Sequence, residues 1–325
     1  MKRILLLSIA LFVGCSTLNA QTPLQIHGKL HVAGNTILNS AGKEPQLRGI
    51  SLSWSVWQGK KYYTPEVVDW LIEDFNINLL RVSMAIQPEH GYLQDPEGQK
   101  KLVTTVIDHA LSKGIYVILD WHDHNAEKHL PESKAFFKEM AAKYASNPNI
   151  IYEIWNEPER QGWAVVKAYS EELIDVIRGE DKDNLIIIGS PHWDQDVDVA
   201  AKDPIKGAQN IAWSFHFYAT ESGHQDGLCL KANNALKDGL PLFVTEWGVG
   251  EANGDGEFSR EKTRLWMDWM EDHKLSWANW NLTDKDETTA LLKPGASVKG
   301  GWSKEHLTEA GIYIREQLRK LNSVK

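Results

Sequence analysis

The sequence predicts an α/β protein, a single (β/α)8 TIM barrel with an N-terminal β-hairpin. Short runs rich in β-branched residues alternate with longer segments of helical periodicity from residue 44 onward, which is the pattern of parallel strands joined by helices. Eight such runs are present, and eight strands close a barrel. The runs are apolar almost throughout, as expected for strands that are covered on both faces.

The strand candidates are each six or seven residues long. In chain order they are QLRGISL, NLLRVSM, IYVILDW, IIYEIWN, LIIIGS, IAWSFHF, LFVTEW and SWANWNL.

Helix candidates fill the intervals between these strands. Two of them begin with N-terminal cap signals, Thr64 before Pro65 and Asp95 before Pro96. A later one carries apolar residues at helical spacing within residues 265–270. Residues 24–43, which include HVAGNTILNSAGK, predict the hairpin ahead of the barrel. Because no linker or repeat interrupts the pattern, we expect residues 21–325 to form one domain.

The first twenty residues have the layout of a secretory signal peptide. Lys2 and Arg3 precede an apolar stretch over residues 4–13, and small residues lead to Ala20. The apolar stretch is too short to span a bilayer, so we expect cleavage after Ala20 and export to the periplasm or the medium. The segment FVGC resembles a lipoprotein box, which leaves open an anchored form attached through Cys15.

Charge and cysteine content exclude several classes of protein. The formal net charge is −9, which argues against nucleic acid or an anionic membrane as a partner. Cys229 is the sole cysteine beyond the signal segment, so an intramolecular disulfide is impossible there. The chain has 14 Trp, and several lie beside polar motifs where a neutral planar ligand could stack. These are Trp54, Trp57, Trp121, Trp155, Trp193, Trp247 and Trp280.

Two glutamates follow strand-like runs. Glu157 lies at the end of IIYEIWNEP, and Glu246 lies at the end of PLFVTEWG. A carboxylate is costly to place directly after several apolar residues unless it has partners, so both are better explained by chemistry than by packing. Glycoside hydrolysis requires such a pair, because one carboxyl protonates the leaving oxygen while the other attacks the anomeric carbon.

Other polar residues also fall at predicted strand ends, where the catalytic face of a barrel lies. An isolated histidine at a strand end is usually a satisfied core residue, but several strands that deliver polar groups to one rim indicate a site. The rim residues are Arg81, His122, Asn156, Trp193, His216, Tyr218 and Trp280, together with the two glutamates.

At these residues the chain resembles glycoside hydrolase family 5, the cellulase family of clan A, and in particular its bacterial endo-β-1,4-glucanase subgroup. The resemblance runs from about Leu24 to about Leu321, and its most specific segments are EIWNEP, SFHFYA, VTEWG and WNLTDKDETTALLKPGAS. It implies an endo-acting, retaining hydrolase of cellulose-type β-glucans, with Glu157 as the acid/base and Glu246 as the nucleophile. No cofactor or metal is expected, and we expect a monomer that binds β-glucan or cello-oligosaccharide.

The resemblance also implies roles for residues around the pair. Arg81 would hold Glu246 ionised, Asn156 would bind a sugar 2-hydroxyl, and Tyr218 would orient Glu246. His122 and His216 match the remaining polar set of the family. The residues that match sugar-binding positions are Trp57, Trp193, Trp280, Lys285 and Glu287.

Two loops depart from the family pattern. Ser53 stands where some relatives have histidine, and Met84-Ala85 stands where some have an aromatic residue. Both loops face distal sugar sites in the resemblance, so substrate preference stays open between cellulose, mixed-linkage β-glucan and mannan.

Two other interpretations of the sequence compete with catalysis. The segment DWHDHNAEKH brings Asp120, His122, Asp123, His124 and His129 together like metal ligands, although their spacing is irregular. A non-catalytic glycan-binding barrel would use the aromatic residues alone, but the complete carboxylate pair favours an enzyme.

Overall fold

The computed structural model describes residues 21–323. The predicted signal peptide and Cys15 lie outside the described residues. Eight parallel strands, neighbours in chain order and with the last paired to the first, close into a barrel, and a separate two-stranded antiparallel sheet precedes them. The predicted fold class is therefore confirmed. No helix in residues 21–323 is long and apolar enough to cross a membrane.

All eight predicted barrel strands are present, with ends that differ by a few residues from the predicted ones. The strands are β1 (His31–Ala33), β2 (Thr36–Leu38), β3 (Arg48–Leu52), β4 (Leu79–Ala85), β5 (Tyr116–His122), β6 (Ile150–Glu153), β7 (Leu185–Ile188), β8 (Ile211–Tyr218), β9 (Leu242–Gly248) and β10 (Trp277–Leu282).

Most α-helices lie between the barrel strands, while α1 (Pro23–His27) precedes the first strand and α10 (Glu309–Leu321) follows the last. In chain order the helices are α1 (Pro23–His27), α2 (Pro65–Trp70), α3 (Pro96–Ser112), α4 (Leu130–Tyr144), α5 (Trp163–Glu180), α6 (Pro191–Asp194), α7 (Val197–Lys202), α8 (Cys229–Lys237), α9 (Arg260–Asp272) and α10 (Glu309–Leu321). Of these, α6 is a single irregular turn, because His192 and Trp193 lie outside the helical φ/ψ region. The predicted caps form at α2 and α3: the Thr64 side chain accepts from the Val67 amide, and Asp95 accepts from Gly98.

The N-terminal hairpin is shorter than predicted. Residues 23–27 form α1 instead, because Thr22 caps the helix, Pro23 occupies its first turn and Gln25 completes a capping box. The hairpin proper is limited to β1 and β2. Leu30, with Val32 and Ile37, packs against the apolar residues inside the lower half of the barrel and closes its N-terminal end.

Apolar packing occurs in two regions. A large cluster lies between the strands and the surrounding helices, and a smaller one fills the lower barrel with Leu79, Ile118, Ile151 and Phe243 among its members. Above this smaller cluster the inward-facing residues become polar. Four of them are fully buried, namely Arg81, Asp120, Glu153 and Thr245. The site at the C-terminal rim therefore rests on a buried polar layer.

Candidate active site

The two glutamates predicted from the sequence face each other across a cleft at the C-terminal rim. Glu246 is part of β9, and Glu157 follows β6. Their nearest carboxylate oxygens lie within 4.8 Å of each other. Retaining glycosidases hold their two carboxyl groups about 5–5.5 Å apart, whereas inverting enzymes need about 6.5–9.5 Å to admit a water. The observed spacing is that of the retaining arrangement.

Glu246 is held by two donors. Nη1 of Arg81 donates to its Oε2 at 2.8 Å, and the Tyr218 hydroxyl donates to its Oε1 at 2.6 Å. Burial and the Glu246 charge raise the pKa of Tyr218 well above its usual value, so the phenol stays protonated and can donate. A cation and a hydroxyl thus compensate one buried negative charge, which suits a nucleophile.

Glu157 has a different environment. Its side chain is 14% exposed, and its Oε1 lies 2.9 Å from Nδ1 of His216. Burial raises the pKa of Glu157 well above its usual value, and the charges of Glu246 and Asp194 raise it further. The two carboxyl groups therefore differ in the way that a general acid beside a nucleophile requires.

Arg81 is the centre of the buried polar layer. Its guanidinium also donates to Glu153 at 2.7 Å and to Asn156 Oδ1 at 2.6 Å, and it forms an ion pair with Asp120 at 2.9 Å. The amide nitrogen of Asn156 has no hydrogen-bond partner within the described residues. The resemblance assigns Asn156 to a sugar hydroxyl, and an unpaired amide donor is what that role would need.

His122 lies between a carboxylate and two aromatic rings. Its Nδ1 is 2.6 Å from Asp120 Oδ2, and its ring stacks on Trp280 with centroids 5.4 Å apart and an interplanar angle of 3°. Trp54 meets it edge-on with centroids 4.1 Å apart. Burial lowers the pKa of His122 well below its usual value, so the imidazole is neutral.

The backbone at Glu157 is strained. Glu157 has φ 53°, and His192, Trp193 and Asp194 have φ values of 56°, 55° and 59°, a left-handed conformation that is unfavourable for residues other than glycine. Asp194 stabilises it: Oδ2 accepts from the Glu157 amide at 3.0 Å and Oδ1 accepts from the Ser190 amide at 2.6 Å. One buried carboxyl group thus ties the backbone at Glu157 to the turn that begins at Ser190.

The cleft contains two cavities that share residues at the catalytic pair. One, of about 340 Å³, is lined by the predicted sugar-binding residues Trp57, Trp280, Lys285 and Glu287. The other, of about 570 Å³, is lined by Trp193 and Gln195 among others. The lining residues common to both are His124, Glu157, Tyr218, Ala252 and Asn253. Lys285 and Glu287 form an ion pair at 2.5 Å.

Three of the tryptophans proposed to stack on a ligand do not reach the cleft. Trp121, Trp155 and Trp247 are fully buried in the cluster between the barrel and the helices, so that expectation was wrong for them. Each precedes or follows a residue that points into the barrel, and adjacent strand residues point to opposite faces. Trp57 and Trp193, in contrast, are 61% and 40% exposed.

The histidines and aspartates of DWHDHNAEKH do not converge on one point. His122 pairs with Asp120, and His129 pairs with Asp123 at 2.7 Å. His124 instead faces Glu157, its Nδ1 lying 3.7 Å from Glu157 Oε2. These residues are explained by separate contacts rather than by a shared ion.

Sequence reasoning missed several polar residues of the site. They are Asp120 as a partner of Arg81, Glu153, Asp194, Thr245 and His124. Glu153 carried the same signal as Glu157, a carboxylate within an apolar run, and could have been found by it. Asp194 carried none, because its role depends on a strained turn that the local sequence does not reveal.

A (β/α)8 barrel with a carboxylate pair at retaining distance in an aromatic cleft defines a glycoside hydrolase. The model of the family "Cellulase (glycosyl hydrolase family 5)" matches residues 38–286. The chain belongs to this family.

Relatives agree with this assignment. The chain is 41% identical to Endoglucanase Z of Dickeya dadantii (strain 3937), covering 97% of this chain and 72% of the relative. It is 39% identical to Endoglucanase A of Evansella cellulosilytica, covering 87% of this chain and 58% of that protein.

Solved structures share the fold. A structure from Cytophaga hutchinsonii superposes with TM-score 0.90 at 42% identity, covering 93% of this chain and 98% of that one. The catalytic domain of Thermobifida fusca endoglucanase Cel5A superposes with TM-score 0.87 at 34% identity, covering 92% of this chain and 100% of that one, and has been solved in complex with cellotetraose.

Proposed function

We propose that this chain is an endo-β-1,4-glucanase that hydrolyses cellulose-type β-glucans with retention of configuration. The observation that carries the proposal is the separation of at most 4.8 Å between oxygens of Glu157 and Glu246, within a cleft that has a cavity on each side of the pair. The endoglucanase relatives and the cellotetraose complex of a related catalytic domain support the substrate class.

In the first step Glu246 attacks the anomeric carbon while protonated Glu157 donates its proton to the leaving oxygen. Arg81 and Tyr218 hold the attacking carboxylate in place. In the second step Glu157, now ionised, takes a proton from the water that releases the sugar from Glu246. Two inversions at one carbon give net retention.

Sugar binding is assigned to both sides of the pair. We propose that Trp57 and Trp280 support sugar rings in one cavity, where Lys285 and Glu287 bond to hydroxyl groups, and that Trp193 supports a ring in the other. Neutral rings present apolar faces for stacking and hydroxyl edges for hydrogen bonds.

The stereochemistry can be tested by proton NMR of the first products of cello-oligosaccharide hydrolysis. The β-anomer is expected to appear first and then to mutarotate. Initial release of the α-anomer would contradict the double displacement. Product analysis on carboxymethyl-cellulose, barley β-glucan and mannan, run side by side, is expected to show the highest rate on a β-1,4-glucan. A higher rate on mannan would identify a β-mannanase on the same barrel.

Export is a separate proposal. We propose that residues 1–20 are removed during secretion, which supports a periplasmic or extracellular location for an enzyme whose substrate is a polymer. The intact mass of the protein recovered from the producing cell is expected to match a chain that starts at Gln21. A lipid-modified chain that starts at Cys15 would show the anchored form instead.

A further inference from the structure

A continuous chain of hydrogen bonds connects Glu157 to the buried carboxyl group of Glu153. Nδ1 of His216 lies 2.9 Å from Glu157 Oε1, and its Nε2 lies 2.8 Å from Thr245 Oγ1. The Thr245 hydroxyl in turn donates to Glu153 Oε1 at 2.6 Å. His216, Thr245 and Glu153 are all buried, so bulk water does not interrupt these hydrogen bonds.

The number of available protons fixes the direction of this chain when Glu153 is ionised. A threonine hydroxyl has one proton to donate and can accept two. Thr245 gives its proton to Glu153, so it accepts from Nε2 of His216, and it accepts from Ser214, whose Oγ lies 2.6 Å away. Nε2 then carries the imidazole proton, and Nδ1 can only accept.

His216 is neutral, so the direction of each hydrogen bond along the chain is fixed by the single proton on its ring. Burial lowers the pKa of His216 well below its usual value, and the charge of Arg81 lowers it further. A neutral imidazole holds one proton, so Nδ1 and Nε2 cannot both donate. With the proton on Nε2, the carboxyl of Glu157 must bring its own proton to the bond with Nδ1. Ionised Glu153 therefore favours protonated Glu157.

We propose that Glu153 is a second proton-holding group of the reaction, coupled to Glu157 through His216 and Thr245. This inference rests on the proposed role of Glu157 as acid/base. Glu153 and Thr245 act as positioning residues, because neither reaches the substrate and both act through His216.

The protons along this hydrogen-bond chain have a second, balanced arrangement. The Glu157 proton moves to Nδ1 of His216, the Nε2 proton moves to Thr245, and the Thr245 proton moves to Glu153. Three bonds to hydrogen break and three form, Glu157 becomes a carboxylate and Glu153 becomes a neutral acid. His216 then donates to ionised Glu157. The four groups thus share one proton that either Glu157 or Glu153 carries, so protonation of one carboxyl group favours ionisation of the other.

The surroundings of both carboxyl groups suit this exchange. Burial raises the pKa of Glu153 to about 7, with Arg81 opposing the shift and Asp120 reinforcing it, so Glu153 gains and loses a proton near neutrality. The charged and titratable groups that face the two carboxyls from neighbouring elements are Arg81, Asp120, His124, Asp194, His216 and Glu246. None of them bridges Glu153 to Glu157 except His216.

Two substitutions interrupt the chain at different points. Thr245→Val keeps the side-chain shape but removes the hydroxyl, and Thr245→Ser restores it as the matched control. Glu153→Gln can present an amide N–H to Thr245, which fixes the arrangement in which His216 donates to ionised Glu157. Both changes favour loss of the Glu157 proton.

The measurement is the pH dependence of kcat/KM on a cello-oligosaccharide, which reports the free enzyme. In Thr245→Val and Glu153→Gln the alkaline limb is expected to move down by about one pH unit, because a hydrogen bond that favours the protonated acid is lost. The Thr245→Ser profile is expected to match the parent. On aryl cellobiosides, both altered proteins are expected to lose more rate with poor leaving groups than with good ones.

An alkaline limb that is unmoved in both proteins, or that moves equally in the serine control, would overturn the inference. Should a variant fail to fold, carboxyl 13C NMR of the parent gives an independent reading. The Glu153 signal is expected to shift in two steps, one of them shared with Glu157, and a single independent step would overturn the coupling. Failure of the proposed function is distinguishable, since the parent itself would then not cleave β-1,4-glucan.

Discussion

The barrel carries a buried arginine towards each end, and the two have different partners. At the lower end Arg48 donates twice to Glu271, at 2.8 and 2.7 Å, and once to the Gln46 carbonyl at 3.3 Å. Towards the upper end Arg81 contacts three carboxyl groups, those of Asp120, Glu153 and Glu246. The Arg48 group, called the lower cluster below, therefore pairs one cation with one anion, whereas the Arg81 group, the upper cluster, has one cation and three carboxyls.

The difference shows what distinguishes a structural ion pair from a reactive one. Two further carboxyls, the partly exposed Glu157 and the buried Asp194, lie close to the Arg81 cluster, so one cation faces five acidic groups. They cannot all ionise in a buried site at neutral pH, and some must hold protons. Excess acid around Arg81 is what supplies a proton donor beside a nucleophile.

The largest expected effect is on kcat, and it is confined to the cluster around Arg81. Glu246→Gln keeps the side-chain shape but cannot form the glycosyl-enzyme, so kcat on cello-oligosaccharides is expected to fall by several orders of magnitude while oligosaccharide affinity survives. Glu271→Gln, the matched change in the lower cluster, is expected to leave kcat near the parent value. Steady-state rates and calorimetric titration of both proteins provide the test, and full activity in Glu246→Gln would remove the enzyme assignment.

Replacing each arginine in turn compares how much the two clusters contribute to the free energy of unfolding. Arg81→Met leaves three buried carboxyl groups without their cation, so the free energy of unfolding is expected to fall by about 3–5 kcal/mol. Arg48→Met is expected to cost less, because the side chain of Glu271 is 29% exposed and can be rehydrated. Urea denaturation of both proteins measures the difference. An equal loss would mean that the upper carboxyls need Arg81 no more than Glu271 needs Arg48.

The upper cluster should also make stability depend on pH. Burial raises the pKa values of Asp120 and Glu153 to about 7 from 3.8 and 4.5, so between about pH 4 and pH 7 the native state binds more protons than the unfolded state. The free energy of unfolding is therefore expected to fall as pH rises through this window, on the order of 3 kcal/mol for each carboxyl.

Glu153→Gln isolates one of these contributions. Relative to the parent, this protein is expected to gain stability from about pH 5 to pH 7 and then to level off, because its amide does not titrate. Urea midpoints at intervals across this range give the comparison. A difference between the two proteins that is constant with pH would contradict the raised pKa of Glu153.

The smallest expected effect lies at the edge of the cleft. Trp57 is 61% exposed and lines the cavity that holds Lys285 and Glu287. Trp57→Ala is expected to weaken binding of long cello-oligosaccharides by about 1–3 kcal/mol, by analogy with other ring-stacking contacts, and to change the bond-breaking step little. Leu265→Ala, at another exposed apolar residue, on α9, is the control. Unchanged affinity in Trp57→Ala would exclude a stacking role.

The fold was predictable because its signal is local and repeated. Each barrel strand is marked by its own apolar run, and α2 and α3 are marked by their own caps. The direction of each side chain was harder to predict. The alternation rule places Trp121 opposite His122, yet it fails after Glu153, where β6 ends and the backbone bends into the positive φ of Glu157.

The carboxylate pair was identified from strand ends, but its support was not. Asp194 comes from the turn after β7, and Thr245 and Glu153 belong to different strands that meet only inside the closed barrel. Contacts across a barrel depend on strand order and register, which a single sequence does not report. The family resemblance supplied Arg81 and Tyr218, while the residues beneath them became visible only in the structure.

The two cavities that meet at Glu157 and Tyr218 have a consequence for a polymer in solution. A strand of glucan can lie across both cavities with sugars extending in either direction, so a cut falls anywhere along its length. Each early cut in the interior shortens the strand greatly while creating a single new reducing end. The viscosity of a dissolved glucan will therefore collapse long before much soluble sugar accumulates.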